Sequence, residues 1–204
     1  MGNKYRSMTL VMLLCLWAAS ANALSCFDPS PTGKNGQDPY RPIKVRELTR
    51  EENEYLRTAF EALDGEWQGT GDEQICKGRA DAPEQENNHY TLQARISTDH
   101  SGNVRISVSL FDSRTSTGGL DKMSLYLTGR ELRADDSSGA GEVELLKVSP
   151  GDVSFRQRVV SGGLQRESFT TIRMTAKTLS IDRTYYSQAQ FIGRKSWRLQ
   201  KVKY

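Results

Sequence analysis

Apolar positions along this chain follow two different periods, and the change falls at Leu63-Asp64-Gly65-Glu66-Trp67-Gln68-Gly69-Thr70-Gly71. Before it, Leu56, Ala59, Phe60 and Leu63 recur at i, i+3, i+4 and i+7, the single stripe of an amphipathic helix. Thr49-Arg50-Glu51-Glu52 fits a capping box, in which the threonine oxygen accepts from a free backbone N–H and Glu52 reaches back. Asp64-Gly65 supplies the stop, so the pattern predicts a helix over 50–63. After Trp67 the period falls to two. Tyr90, Leu92, Ala94 and Ile96 alternate with polar residues, and Val104, Ile106, Val108 and Leu110 do the same beyond an Asp99–Asn103 loop signal. Met123, Leu125 and Leu127 form the next alternation, with a short strand around Leu132. Val143–Val148 and Val153–Val159 flank the turn Ser149-Pro150-Gly151-Asp152. Strands near 167–174 and 178–186 meet at Ala176-Lys177, and a last one runs from about 195 to 202.

Short strands joined by tight turns predict a mainly β fold, an up-and-down antiparallel barrel of about eight to ten strands preceded by a short N-terminal helix. The polar runs 77–88 and 134–141 read as loops. Gly69 and Gly71 share parity with Trp67 on the first strand, where missing side chains permit the sharp coiling that closes a small barrel.

The N-terminal residues belong to a different pattern. Lys4 and Arg6 precede an apolar run from Met8 to Ala19, and Ala21-Asn22-Ala23 places small residues at a cleavage spacing. This predicts a secretory signal over 1–23 and an exported protein, periplasmic or secreted. Later apolar runs fall short of membrane-spanning length, so no integral membrane segment is expected in the mature chain. Residues 24–48, with Pro29, Pro31, Pro39 and Pro42, read as a proline-rich arm, leaving 49–204 as the barrel domain. Cys26 and Cys76 fit one disulfide in an oxidising compartment. The competing reading is a lipid anchor on Cys26, although Leu24 sits where a lipobox prefers a small residue.

Charge changes the picture mainly by exclusion. The chain has 28 basic and 25 acidic residues; the leader carries Lys4 and Arg6, leaving a mature net charge of +1. The arginines are spread about one per strand, which does not predict a nucleic-acid partner. His89 and His100 stand at opposite ends of one predicted strand, too far apart to share a metal. With no nucleophile elbow and no dinucleotide fingerprint, no catalytic residue, metal or cofactor is assigned, and the chain is expected not to be an enzyme.

The order of helix, Gly65-Glu66-Trp67, up-and-down strands and a last strand carrying Trp197-Arg198 resembles the lipocalin-like (calycin) barrels, here a bacterial relative. The resemblance implies that Gly65 and Trp67 open the first strand at the closed end. It also implies that Arg198, with Arg194 as the alternative, packs across Trp67 as a cation–π partner.

Two polar side chains fall on apolar faces. Gln157 shares parity with Val153, Phe155 and Val159, and Arg183 with Leu179, Ile181 and Tyr185. Gln157, Arg183 and Tyr185 are therefore the candidate ligand-binding residues, Arg183 being suited to a carboxylate or phosphate head. A bulge that shifts parity, or a place at the barrel mouth near solvent, is the competing account of the two polar residues. Tyr185, Tyr186 and Phe191 either line a mouth or pack the sheet. The expected function is binding of a small, mostly apolar ligand inside the barrel. The alternative is a filled barrel serving as a cell-envelope interaction or structural module, its protein partner unspecified.

Overall fold

The computed structural model describes residues 24–31, 43–112, 117–136 and 139–203. The predicted signal segment 1–23 and the middle of the arm, 32–42, lie outside the described residues.

Helix α1 spans Arg50–Glu61 and is followed by ten strands: β1 (Gly65–Arg79), β2 (Ala82–Thr98), β3 (Val104–Asp112), β4 (Thr117–Thr128), β5 (Glu131–Asp136), β6 (Gly139–Ser149), β7 (Asp152–Ser161), β8 (Leu164–Met174), β9 (Thr178–Ser187) and β10 (Gln190–Lys201). Every strand pairs antiparallel with its sequence neighbours, and β1 also pairs with β10, so the meander closes into a barrel with no free edge strand. The helix starts as expected: Thr49 Oγ1 accepts from Glu52 N at 3.1 Å, and Thr49 N donates to Glu52 Oε2 at 2.8 Å. It ends earlier than the stripe implied, with Leu63 in a tight turn beyond Ala62.

One end of the barrel is a closed floor. Leu56 and Phe60 of α1, with Leu48 and Leu63, are fully buried against Trp67 and the inner residues of the sheet. Trp67 is 1 % exposed, and its indole Nε1 donates to Leu63 O at 2.8 Å, so the one polar atom of the plug is satisfied. Gly65 adopts φ 128°, a conformation suited to glycine, as the chain turns from helix into strand. At Gly69 a Cβ would lie 1.9 Å from the Arg198 carbonyl oxygen, so only glycine lets β1 and β10 approach this closely.

Two readings of the sequence need correction here. Arg198 does not cover Trp67. It pairs with Thr70 on the outer face and donates to Asp182 Oδ1 at 2.7 Å. Strand alternation explains this, because Trp197 and Leu199 point inward and Arg198 between them must point out. Arg194 lies on the outer face for the same reason and is exposed. Lys201 takes the position instead: its Nζ sits 5.7 Å from the Trp67 ring centroid and donates to Ala62 O at 2.9 Å. The α1 C-terminus has no basic residue of its own, so Lys201 provides the positive charge that its free carbonyls favour. Second, most of 77–88 is strand, since β1 and β2 pair without a break from Gly65↔Ile96 to Arg79↔Ala82. That overhang is wet on both sides, which removes the alternation that betrays a strand. Residues 134–136 and 139–141 are likewise strand.

The other end is the open mouth, where the arm is fastened. Cys26 and Cys76 form a disulfide across 50 residues of sequence, with Cα atoms 5.5 Å apart. Closing a loop of this length contributes about 4 kcal/mol on a chain-entropy account. Beside it Phe27 N donates to Phe191 O at 2.9 Å, Phe191 N to Asp28 O at 2.7 Å and Ser30 N to Ala189 O at 2.7 Å. Ser30 Oγ donates to Glu167 Oε2 at 2.7 Å, and Glu167 also pairs with the buried Arg156. The N-terminal residues thereby bridge to the turn end of the β9–β10 hairpin.

Candidate functional site

Inside the barrel the character of the wall changes with height. Above Trp67, Leu92, Ile106, Phe155, Ile181 and Trp197 fill the lumen, each at most 1 % exposed. Gly71 makes room for this packing, since a Cβ there would meet Leu92 and the Trp197 ring at 3.0–3.3 Å. Nearer the mouth the inner face carries charge. Lys195 Nζ reaches from β10 to Asp121 Oδ2 on β4 at 2.6 Å and to Glu73 Oε1 on β1 at 3.2 Å. Tyr90 OH donates to the other Glu73 oxygen at 3.0 Å. Arg183 Nη2 on β9 donates to Asp136 Oδ2 on β5, both side chains being 2 % exposed.

Lys195–Asp121 and Arg183–Asp136 cross the lumen and tie non-adjacent strands, whereas Glu73 joins Lys195 and Tyr90 across neighbouring ones. Their burial shifts proton equilibria. Burial pulls the Lys195 ammonium down, but Asp121, Tyr185 and Glu73 together reverse this and hold it above the ordinary lysine value. The Tyr90 phenol is pushed up to about 12, by burial first and then by Glu73.

All three candidate residues of the sequence reading lie on this inner face. Gln157 is opposite Ser168, Ser168 opposite Tyr185, and Thr170 opposite Arg183, so β7, β8 and β9 bring them together in two adjacent tiers. Parity is unbroken by any bulge at these positions. Gln157 is 2 % exposed; its Nε2 donates to Ala134 O at 3.1 Å and to Gly139 O at 3.2 Å, which fixes the amide orientation. Its Oε1 has no partner, and neither do Arg183 Nε and Nη1 or Thr170 Oγ1. The Arg183 guanidinium lies 5.1 Å from the Tyr185 ring centroid. Tyr186 and Phe191 point the other way and pack edge-on with centroids 6.0 Å apart.

A recess of about 390 Å³ opens at the mouth, where Asp136, Gln157, Ser168 and Tyr185 meet Ile75 and Cys76. Its wall mixes polar and apolar groups. A larger cleft of about 990 Å³ follows β5 and β6, which pair only through Ala134↔Gly141, Asp135↔Ala140 and Asp136↔Gly139. None of the unpartnered buried atoms named above belongs to its lining, so size alone does not make it the site. Among the described residues no group of three His, Cys, Asp or Glu side chains is placed to hold a metal ion.

The interior charges Glu73, Asp112, Asp121, Asp136 and Lys195 were missed in the sequence, yet the rule that found Gln157 and Arg183 finds them too. Asp121 continues the parity of Met123 and Leu125, Asp112 that of Val108 and Leu110, and Lys195 that of Trp197 and Leu199.

No family model matches the sequence, and neither does any curated protein. Among solved structures the chain is similar to the S-type phycobiliprotein lyase CPES from Guillardia theta, 13 % identical, covering 76 % of this chain and 99 % of that chain with a TM-score of 0.47. The structure carries the features on which the resemblance to lipocalin-like barrels rested: an antiparallel barrel, a helix before it and a Gly-x-Trp tryptophan in its floor. The expectation that the chain is not an enzyme is withdrawn, and the word lyase in that title is said of the solved protein alone.

Proposed function

We propose that this is an exported barrel that binds a small ligand in the recess at its open end. The observation that carries the reading is the asymmetry of the lumen. The floor is sealed by Trp67 and α1, whereas the mouth holds a recess of about 390 Å³ walled by side chains that β7, β8 and β9 hold in register. Sites for small molecules begin at about 300 Å³ and combine apolar wall with a few convergent polar groups. The ligand sits above the packed lumen rather than deep inside it, with Gln157 and Tyr185 in its wall and Arg183 in the adjoining tier. Export rests on the leader pattern at 1–23 and agrees with the Cys26–Cys76 disulfide, which needs an oxidising compartment. The disulfide also occupies the cysteine that a lipid anchor would require.

A second reading, a filled barrel acting as an interaction module, draws on the outer face of β3 and β4. There Phe111 is 51 % and Leu120 61 % exposed. Gentle purification followed by native mass spectrometry and solvent extraction separates the two. A small molecule recovered reproducibly with the protein, and lost on Tyr185→Ala, supports the ligand reading; an empty protein indifferent to solvent extraction supports the second.

A further inference from the structure

Beyond the recess, and without resting on it, we infer that the outer wall of the barrel binds an uncharged polysaccharide chain. Two rows of side chains run in register across β10, β1, β2 and β3. One row holds Gln200, Gln68, Gln93 and Ser109; the next holds Arg198, Thr70, Thr91 and Phe111. All eight are exposed. Their single charge, Arg198, is already paired with Asp182. The rows to either side are charged: Glu66, Arg95 and Lys122 toward the floor, Asp72 and His89 toward the mouth. This uncharged band is also indented. A cleft of about 590 Å³ lies over Gln68, Thr70, Arg198 and Gln200, with Thr178 and Ser180 of β9 on its far side. A second, of about 580 Å³, lies among Ser109, Phe111 and Leu120. Thr91 and Gln93 line both, so the two clefts adjoin. Phe111 is 51 % exposed, and Gly118, directly opposite on β4, has no side chain to cover its ring.

These groups select a ligand by what they offer. Glutamine, threonine and serine side chains each present a donor and an acceptor, as every sugar hydroxyl does. A polyanion such as a nucleic acid draws its affinity from clustered basic side chains, and this band has one arginine with a carboxylate already on it. An extended peptide joins a sheet at an unpaired edge, whereas β10, β1, β2 and β3 are each paired on both sides. A membrane surface calls for a broad apolar or basic face, and the glutamines interrupt both. An uncharged glycan has none of these needs. Its hydroxyls exchange water for Gln68, Gln93, Gln200, Thr70 and Thr91, and the C–H face of one ring lies on the electron-rich face of Phe111. A chain crossing Thr91 and Gln93 uses both clefts at once.

The test uses the mature, disulfide-bonded chain and calorimetric titration with maltohexaose, cellohexaose, laminarihexaose and chitohexaose. Each is run beside its own disaccharide, with oligogalacturonate as the charged control. At least one uncharged hexasaccharide is expected to bind about tenfold or more tighter than its disaccharide and than oligogalacturonate. Phe111→Ser and Gln93→Ala should each weaken it by about tenfold. Both side chains are exposed, so these variants should keep the unfolding midpoint of the wild type. A second measurement needs no variant: backbone amide resonances of β10, β1, β2 and β3 should shift on titration, and those of Gln157 and Tyr185 should not. Shifts confined to Gln157 and Tyr185 overturn the inference and place the sugar in the mouth recess. Binding by no uncharged oligosaccharide overturns it, as does equal binding of oligogalacturonate or of the disaccharide. Those three results leave the copurification test of the recess untouched, so the two readings fall separately. A protein held by the wild type and released by Phe111→Ser, with every oligosaccharide silent, overturns it in favour of the interaction module.

Discussion

The two halves of one lumen are built on opposite principles. At the floor, Trp67, Leu56, Phe60 and Leu63 exclude water by shape, and the single polar atom of the plug is answered by Leu63 O. At the mouth, the same strands point Glu73, Asp121, Asp136, Arg183 and Lys195 inward and answer charge with charge across the barrel. Apolar packing tolerates no wrong volume, whereas paired charges tolerate no missing partner. The floor is therefore a place to store stability, and the mouth a place where one added molecule changes the electrostatic balance.

That contrast can be broken most forcefully at Trp67. Trp67→Ala should cost about 3–5 kcal/mol in a denaturant titration and leave the recess intact if the folded state survives. A loss under 1 kcal/mol would mean that the floor does not depend on its plug. Asp136→Leu should cost about 3 kcal/mol, because it strands the Arg183 guanidinium at 3 % exposure. Adding Arg183→Met in the same chain should recover most of that loss, since an apolar pair replaces a buried ion pair with little penalty. The equivalent rescue has no counterpart at the floor. A double variant as unstable as the single one would show that the mouth charges are not working as pairs.

The smallest effect concerns pH and sharpens the contrast at both ends of the scale. A hydrogen bond from Arg46 draws the Glu52 carboxyl down to about 2, against about 4.3 in an unfolded chain. A lowered folded-state value contributes stability above the unfolded one, lost as pH falls toward 2, so the floor helix should loosen on the acid side. Tyr90 and Lys195 are raised, and their contributions hold below about 10 and disappear as pH climbs through the folded-state values. The mouth should thus loosen on the alkaline side. Thr49→Ala, costing about 1 kcal/mol, removes one of the hydrogen bonds that lower Glu52, so it should flatten the acid limb and leave the alkaline limb unchanged. Residue-resolved hydrogen exchange at the two extremes checks the order.

Much of this was legible in the chain. The capping box, the Leu56–Leu63 stripe and the period-two runs gave the helix and the meander, because each buries one face only. Gln157 and Arg183 announced themselves by standing on apolar faces. What stayed hidden had two physical causes. The β1–β2 overhang leaves the barrel, so both of its faces are wet and the hydrophobic signal disappears while the backbone pairing continues. Arg198, with Arg194 as the alternative, was set against Trp67 on the strength of a family resemblance, although alternation with Trp197 and Leu199 turns it outward. The charged tier was hidden by a different habit: an aspartate at the end of an apolar alternation reads as the strand's last residue rather than as its next inward one.

The closure of the barrel has a consequence in time. Trp67 lies opposite Lys201, so the first strand and the tenth find each other only after the chain between them has been laid down. Such distant pairing makes for slow folding, with β1 exposing an unpaired edge through most of the process. The β1–β2 hairpin, paired over its whole length, covers the opposite edge of β1 with a sequence-local partner. Gly69, which admits the β10 backbone at the last step, is then as much a matter of kinetics as of fit: a side chain there would obstruct the seam at the moment the vessel shuts.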